Sequence, residues 1–465
     1  MYKILYLFLL LPICCLAQQG GNLSLISRYM QGEHLQGFNG NVLIAKNGKI
    51  LYQKAFGYSD FSSKLPLNNS SIFELASVSK QFTAMGILQL KEKGKLKLTD
   101  SLRAFFPELP YQKITIYNLL THTSGLPDYL SEMDTKWNHK KIAFNKDIIH
   151  FLASEKPALN FTPGSRYDYS NTGYVLLACI IEKLTGQTYN NYLDQNIFTP
   201  LGMHNSRVYN SRRSKHDIIN NYAYGYVLDN KTNAYVLPDS LKQDDFVYWL
   251  DGVTGDGTVN STTSDLLKWN NALLHHLLLN QIDQTDMLSP HTLTDTLTKR
   301  YYGYGVEIGQ DELGDFITHD GSWPGYSTVL SQYKSGDYTI IALSNNQHNS
   351  VAVSRALAYI LNNKPVIFPY RHKQIVLDAG LLDKYIGEYT FPIKLNIIKR
   401  DGKLYRHIPG RSATSDVELK PESTTKFFYG NNADIQIQFE LNKQNQIEKV
   451  TLINYGLLVH GERIN

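Results

Sequence analysis

The sequence predicts a large α+β domain, an antiparallel sheet flanked by helices with an all-helical region, followed by a small all-β domain. Three observations predict it. Alternating strand patterns stand near the start of the chain and again between about 300 and 344, with helix and loop patterns filling the middle, and strands from both ends of a helical stretch close into one sheet. After "NNKPVIFPYRHK" the pattern changes to short alternating runs that continue to the C-terminus. With 465 residues, 42% hydrophobic and 19% charged, the chain is long enough for a large core and a second small one. These patterns divide it into a leader (1–17), a large domain (18–365), a linker (366–376) and a small β domain (377–465).

The leader is read from Lys3, the apolar run "ILYLFLLLPICCL", Ala17 and the polar "QQGGN". This is the pattern of a secretory signal cleaved after Ala17, which predicts a periplasmic or extracellular protein. The run is short for a bilayer span, and no later stretch is long enough for one. A lipid on Cys14 or Cys15 is the weaker reading, because neither follows a small residue. Removing the leader leaves Cys179 alone, so no intramolecular disulfide is expected. Cys179 sits in the apolar helical run "TGYVLLACIIEKL" and reads as a small buried hydrophobe.

Further on, "NVLIAKNGKILYQKAFGYSD" reads as two strands joined by a turn at Asn47-Gly48. A helix carrying Val78, Phe82, Met85 and Leu88 on one face follows and stops at Gly94. Helices are predicted at 146–155, 172–185, 189–197, 263–279 and 350–362. Strands are predicted at 301–308, 314–319, 327–334 and 337–344, the last two joined by "KSGD". The small domain begins with "LNIIKRDGKLYRHI", turning at Asp401-Gly402, and continues through "DIQIQFELN" and "IEKVTLINYG".

Net charge is +4 with scattered lysines and arginines, which argues against a nucleic-acid binder, and the 32 tyrosines read as packing or pocket walls. The expected partner is a small-molecule or peptide substrate. The neighbouring His275 and His276 face different ways on a helix, so no metal site and no cofactor are expected.

A serine and a lysine three apart occur at Ser77/Lys80, Ser331/Lys334 and Ser423/Lys426. Three apart on a helix means one face, in a strand opposite faces, so only Ser77 and Lys80 meet reliably. A serine in a first helical turn also lies beside free backbone N–H groups, the donors an oxyanion needs. Read alone, Ser77 is better explained as a helix N-cap beside a solvated lysine. A serine nucleophile needs a base. The segment "PGSRYDYSNTGYVLL" offers Tyr169, whose phenolate a nearby lysine would stabilise, and Asn171 entering a helix; alone these read as packing and an N-cap. In "THDGSWPGYST", His319 and Asp320 end a strand pattern. Gly321 there permits close backbone approach, and Ser322 offers an N–H.

In this order, "SVSK", "YSN" and "HDG" resemble the penicillin-recognising serine hydrolases of the class C β-lactamase, DD-peptidase and esterase type. "LLTHTSGLPDY", "IFTPLGM" and "GDGTVNSTTSDLLKW" extend the resemblance over residues 35–362. It implies a β-lactamase/transpeptidase-like fold and an acyl-enzyme formed on Ser77. Lys80 would shuttle protons, Tyr169 act as base and then acid, and Asn171 position substrate or Lys80. His319, Gly321 and Ser322 would contribute to substrate binding, and the N–H groups of Ser77 and Ser322 would form the oxyanion hole. His122 is expected to be structural. Members that act on β-lactams usually carry lysine, threonine and glycine where this chain has His319, Asp320 and Gly321, so a peptide or ester substrate is expected. A β-lactamase or DD-carboxypeptidase and a non-turnover sensor are the alternatives. "YIGEYT", "GKLY" and "GERI" resemble the barrel-like modules that follow some of these hydrolases, and a scaffold role is expected for that domain.

Overall fold

A computed structural model of the protein describes residues 11–211 and 219–464, with side chains from residue 21 in the N-terminal helix. Residues 1–10 of the expected leader, and the side chains of Cys14 and Cys15, lie outside the described residues. Among the described residues no helix is long and apolar enough to cross a membrane. The chain divides into two compact units, Asn39–Ser354 and Met1–Phe38 with Arg355–Asn465.

The first unit holds strands β1 (Gly40–Lys46), β2 (Lys49–Phe56), β3 (Thr292–Asp295), β4 (Arg300–Tyr302), β5 (Glu307–Asp311), β6 (Gly314–Trp323), β7 (Tyr326–Tyr333) and β8 (Tyr338–Ser344). They form one antiparallel sheet in the order β3-β4-β5-β6-β7-β8-β1-β2. β1 and β8 pair with Gly40 opposite Ser344, so the N-terminal hairpin completes a sheet otherwise built from the far end of the helical region. Asn47 and Gly48 both have positive φ, the conformation of a two-residue hairpin turn. β6 is longer than expected and runs through His319, Asp320, Gly321 and Ser322.

The predicted strand at 301–308 is two strands. The chain passes directly over the start of the helix that follows Ser77: Gly305 has φ +73, and a Cβ there would lie 2.7 Å from the Lys80 carbonyl oxygen. An extended backbone does not make that approach.

Helices α1 (Lys80–Glu92), α2 (Tyr129–Asp134), α3 (Asn171–Thr185) and α4 (Thr263–Leu274) frame the site. α1 ends at Gly94 in the left-handed conformation, as its sequence requires. α4 stops short of the predicted 279, and His276 is left-handed just beyond it. Phe82 of α1 stacks near the fully buried Trp269 of α4 at 4.3 Å, and Ile181 of α3 packs against Gly86. Each large apolar side chain buried this fully contributes about 1.5–3 kcal/mol, and Phe82, Ile181 and Trp269 belong to one hydrophobic core.

The second unit carries a closed eight-stranded antiparallel barrel running from Gly387 to Arg463. Tyr385, Tyr389, Phe427, Phe439, Ile397 and Leu404 are buried together in its core, as expected for a barrel of this size filled by side chains.

Candidate active site

Ser77 stands on a short 3-10 turn, Ala76–Ser79, that leads directly into α1. Three anchors hold this turn. The Leu75 N–H donates to the Val259 carbonyl at 2.8 Å, the Val259 N–H donates to Ser79 Oγ at 3.0 Å, and the Thr328 hydroxyl of β7 donates to the Leu75 carbonyl at 2.7 Å. Ala76 has φ +47, a costly conformation for a residue with a Cβ. The anchors over-determine it, and Ser77 is left partly exposed at the bend.

β6 runs flush against the same turn. A Cβ on Gly321 would lie 2.2 Å from the Leu75 carbonyl oxygen and 3.0 Å from the Ser77 nitrogen, so only glycine permits this approach. Strand alternation then sends Asp320 to the opposite face, where it interacts electrostatically with Glu307 and Arg300. Burial raises the Asp320 pKa against the opposing pull of Arg300 and Lys80.

Lys80, on the first turn of α1, is fully buried. Its ammonium donates to Ser77 Oγ at 3.1 Å, to Asn171 Oδ1 at 2.9 Å and to the Asp256 carbonyl at 2.8 Å. All three N–H bonds are therefore used. Burial pulls its pKa down to about 8, against Asp256, Asp128 and Asp320, whose charges raise it.

Tyr169 precedes α3, with its ring 4.8 Å from the Lys80 nitrogen. Its hydroxyl is buried without a hydrogen-bond partner of normal geometry. Burial raises its pKa well above the ordinary value, and the weaker contact with Ser77 pulls the other way. The phenolate expected from the sequence is thus opposed by desolvation, which favours a neutral phenol. Behind the ring, His122 stacks at 4.2 Å while its Nδ1 accepts the Ser170 N–H at 3.1 Å. His122 has φ +55 and is held neutral by burial, the arrangement of a wall rather than a reactant.

His319, expected among the substrate contacts, is 2% exposed. Its Nδ1 bonds the Asp320 carbonyl at 2.7 Å and its Nε2 the Tyr302 hydroxyl at 2.9 Å. A carbonyl only accepts, so Nδ1 carries the proton and Nε2 accepts from Tyr302. Burial, reinforced by Lys80, lowers its pKa to about 3. His319 therefore fills the floor under the site, a consequence of facing the same side of β6 as Gly321.

The cleft over Ser77 is walled by Asn171, Tyr129, Asp256, Ser322 and Trp323, with Leu130, Val247 and Leu250 forming an apolar side. The site thus brings together Ser77, Lys80, Tyr169, Asn171 and the β6 segment. The other serine–lysine pairs are elsewhere: Ser331 bonds Thr318 at 2.8 Å in the sheet, and Ser423 accepts the Lys426 N–H in a loop of the second unit. Cys179 is buried in α3, and its thiol is pushed up to about 12. Sequence reasoning did not single out Asp128, Tyr129, Asp256 or Tyr302. The first three lie within the quoted stretches "GLPDY" and "GDG", where they were read only as companions.

The sheet, the helical insertion and the gathering of "SVSK", "YSN" and "HDG" at one cleft define the β-lactamase/transpeptidase-like fold. The chain belongs to the beta-lactamase family, whose profile matches residues 24–363. It is 41% identical to penicillin-binding protein 4* of Bacillus subtilis over 415 residues, covering 87% of this chain and 91% of that protein. A penicillin-binding protein from Bacillus halodurans has a structure similar over 71% of this chain and 98% of its own, with TM-score 0.63 and 28% identity. The octameric penicillin-binding protein homologue from Pyrococcus abyssi aligns over 95% of this chain and 99% of its own, with TM-score 0.66 and 25% identity.

Proposed function

We propose that the protein is an exported serine hydrolase that works through an acyl-enzyme on a peptide of D-amino-acid or cell-wall type, or on an ester. The observation that carries this reading is the buried Lys80 nitrogen 3.1 Å from Ser77 Oγ, with a pKa near 8. Neutral Lys80 takes the proton as Ser77 Oγ bonds to the substrate carbonyl carbon. The oxyanion is held by the N–H groups of Ser77 and Ser322. As the bond to the leaving group breaks, Tyr169 gives it a proton and recovers one from the Lys80 ammonium. Water then attacks the acyl carbon, and Ser77 leaves as the alcohol with a proton returned through the same pair. Asn171 orients Lys80, and His319 and Gly321 support the strand that carries Ser322.

The lysine and threonine usual in members that act on β-lactams are replaced here by His319 and Asp320, which favours peptides or esters over β-lactams. The sequence expectation of a leader supports export, and the packed barrel core supports a scaffold role for the second unit.

The test is intact-mass analysis after exposure to a fluorophosphonate, followed by turnover of a short-chain nitrophenyl ester and a chromogenic cephalosporin. Labelling at Ser77, loss of labelling in Ser77→Ala and turnover preferring the ester support the proposal. Preference for the cephalosporin would make the protein a β-lactamase. A single stable adduct without turnover would make it a sensor, and absence of labelling would refute the nucleophile.

A further inference from the structure

Lys80 depends on two acceptors besides Ser77, and both are held by consecutive residues at the start of α2. Asp128 Oδ2 accepts the backbone N–H of Asn171 at 2.9 Å and its side-chain Nδ2–H at 3.0 Å. With Nδ2 turned to the carboxylate, Oδ1 must face the ammonium, where it accepts at 2.9 Å. The next residue, Tyr129, donates its hydroxyl to Asp256 Oδ2 at 2.8 Å, and the main-chain carbonyl of Asp256 accepts from Lys80 at 2.8 Å. The segment is fastened to α3 as well: the Tyr129 N–H donates to Thr172 Oγ1 at 2.9 Å, and the Thr172 hydroxyl donates to the Pro127 carbonyl at 2.7 Å.

We propose that Asp128 and Tyr129 form a clamp that positions the Lys80 amine for proton transfer, Asp128 by fixing the amide of Asn171 and Tyr129 by fixing Asp256. The inference rests on the reading of Lys80 as the proton carrier. Neither clamp residue touches the reacting atoms in this role. The carboxylates of Asp128, Asp256 and Asp320 are the acidic groups acting on Lys80, and each favours its charged form. His122 and His319 around it are neutral, and Tyr169 and Tyr174 are held protonated by burial. Asp128 therefore has two effects, one on geometry and one on charge, and they separate experimentally.

Asp128 also caps α2 by accepting the Leu130 N–H through Oδ1 at 3.0 Å. Asparagine and serine cap helices as well as aspartate does, so D128N and D128S retain the cap and lose the charge. In D128N the facing amide no longer dictates the orientation of Asn171. The expected result is a kcat for ester hydrolysis reduced about ten- to a hundredfold with KM nearly unchanged. The pH midpoint of Ser77 labelling by the fluorophosphonate falls by about one unit, the usual effect of removing a nearby opposite charge. D128S should show the same shift, with the melting temperature lowered only by the loss of the two bonds to Asn171. Y129F, which keeps the ring in the cleft wall, should shift the midpoint in the same direction by less.

A folded D128N or D128S with wild-type kcat and midpoint would overturn the clamp and leave Asp128 as a helix cap only. If D128N does not fold, an unshifted midpoint in Y129F overturns it equally. Wild-type protein that labels at Ser77 while the variants match it sinks the clamp alone. Wild-type protein that fails to label at Ser77 sinks the proposed function with it.

Discussion

Replacing Gly321 with alanine tests the central geometric feature of the site, the contact between β6 and the Ser77 turn. The added Cβ would sit 2.2 Å from the Leu75 carbonyl oxygen, 2.6 Å from Thr328 Oγ1 and 3.0 Å from the Ser77 nitrogen. Two of these neighbours are backbone atoms, and the Leu75 carbonyl is already bonded to Thr328 at 2.7 Å, so the turn has little freedom to give way. Regaining ordinary contact near 3.4 Å requires β6 to retreat by about 1.2 Å. Oxyanion donors work only within about 2.7–3.1 Å of the charge, and losing one typically costs about a hundred- to a thousandfold in kcat, or roughly 3–4 kcal/mol. The expected outcome is therefore a kcat for nitrophenyl-ester hydrolysis lower by about that factor, with KM nearly unchanged. Steady-state kinetics with a thermal melt to confirm folding is the assay. A folded G321A enzyme with wild-type kcat would show that the strand does not supply the donor, and the oxyanion assignment to Ser322 would fall.

Two further outcomes follow from the site. If neutral Lys80 accepts the Ser77 proton, kcat/KM rises with pH through about 8, and about one enzyme in ten is reactive at pH 7. The sign is set by the lowered pKa: below it the amine is charged and cannot accept, above it the limb levels off. His319 titrates near 3 and His122 is neutral, so no limb near pH 6.5 is expected, and a profile flat between pH 6 and 9 would exclude Lys80 as acceptor. Ser331→Ala removes only the 2.8 Å bond to Thr318 in the sheet. It should leave ester turnover intact at a stability cost of about 1 kcal/mol by urea titration, and loss of activity equal to that of Ser77→Ala would contradict the assignment of the nucleophile.

Much of the molecule was legible in the chain because it depends on local chemistry. Asn47-Gly48 could join two strands in only a few ways, Gly94 marked the end of α1, and the alternating runs after 377 announced a β domain. The spacing of Ser77 and Lys80 picked out, of the three pairs, the one whose side chains meet, at 3.1 Å, since helical periodicity puts residues three apart on one face. Tertiary structure decided the rest. Whether Asp320 meets the cleft depends on the register of β6 against the Ser77 turn, which no local pattern encodes. Whether His319 is a surface ligand or a buried floor depends on Tyr302, 17 residues away. The ionisation preferences of Lys80 and Tyr169 likewise come from burial, a property of the assembled core rather than of any segment. Sequence by itself determined which residue types were available and in what order; packing determined which are charged, which are reachable and which merely hold the others in place. The physical reason is that side-chain identity and helical period are local, whereas desolvation and strand register are set by residues brought from elsewhere in the chain.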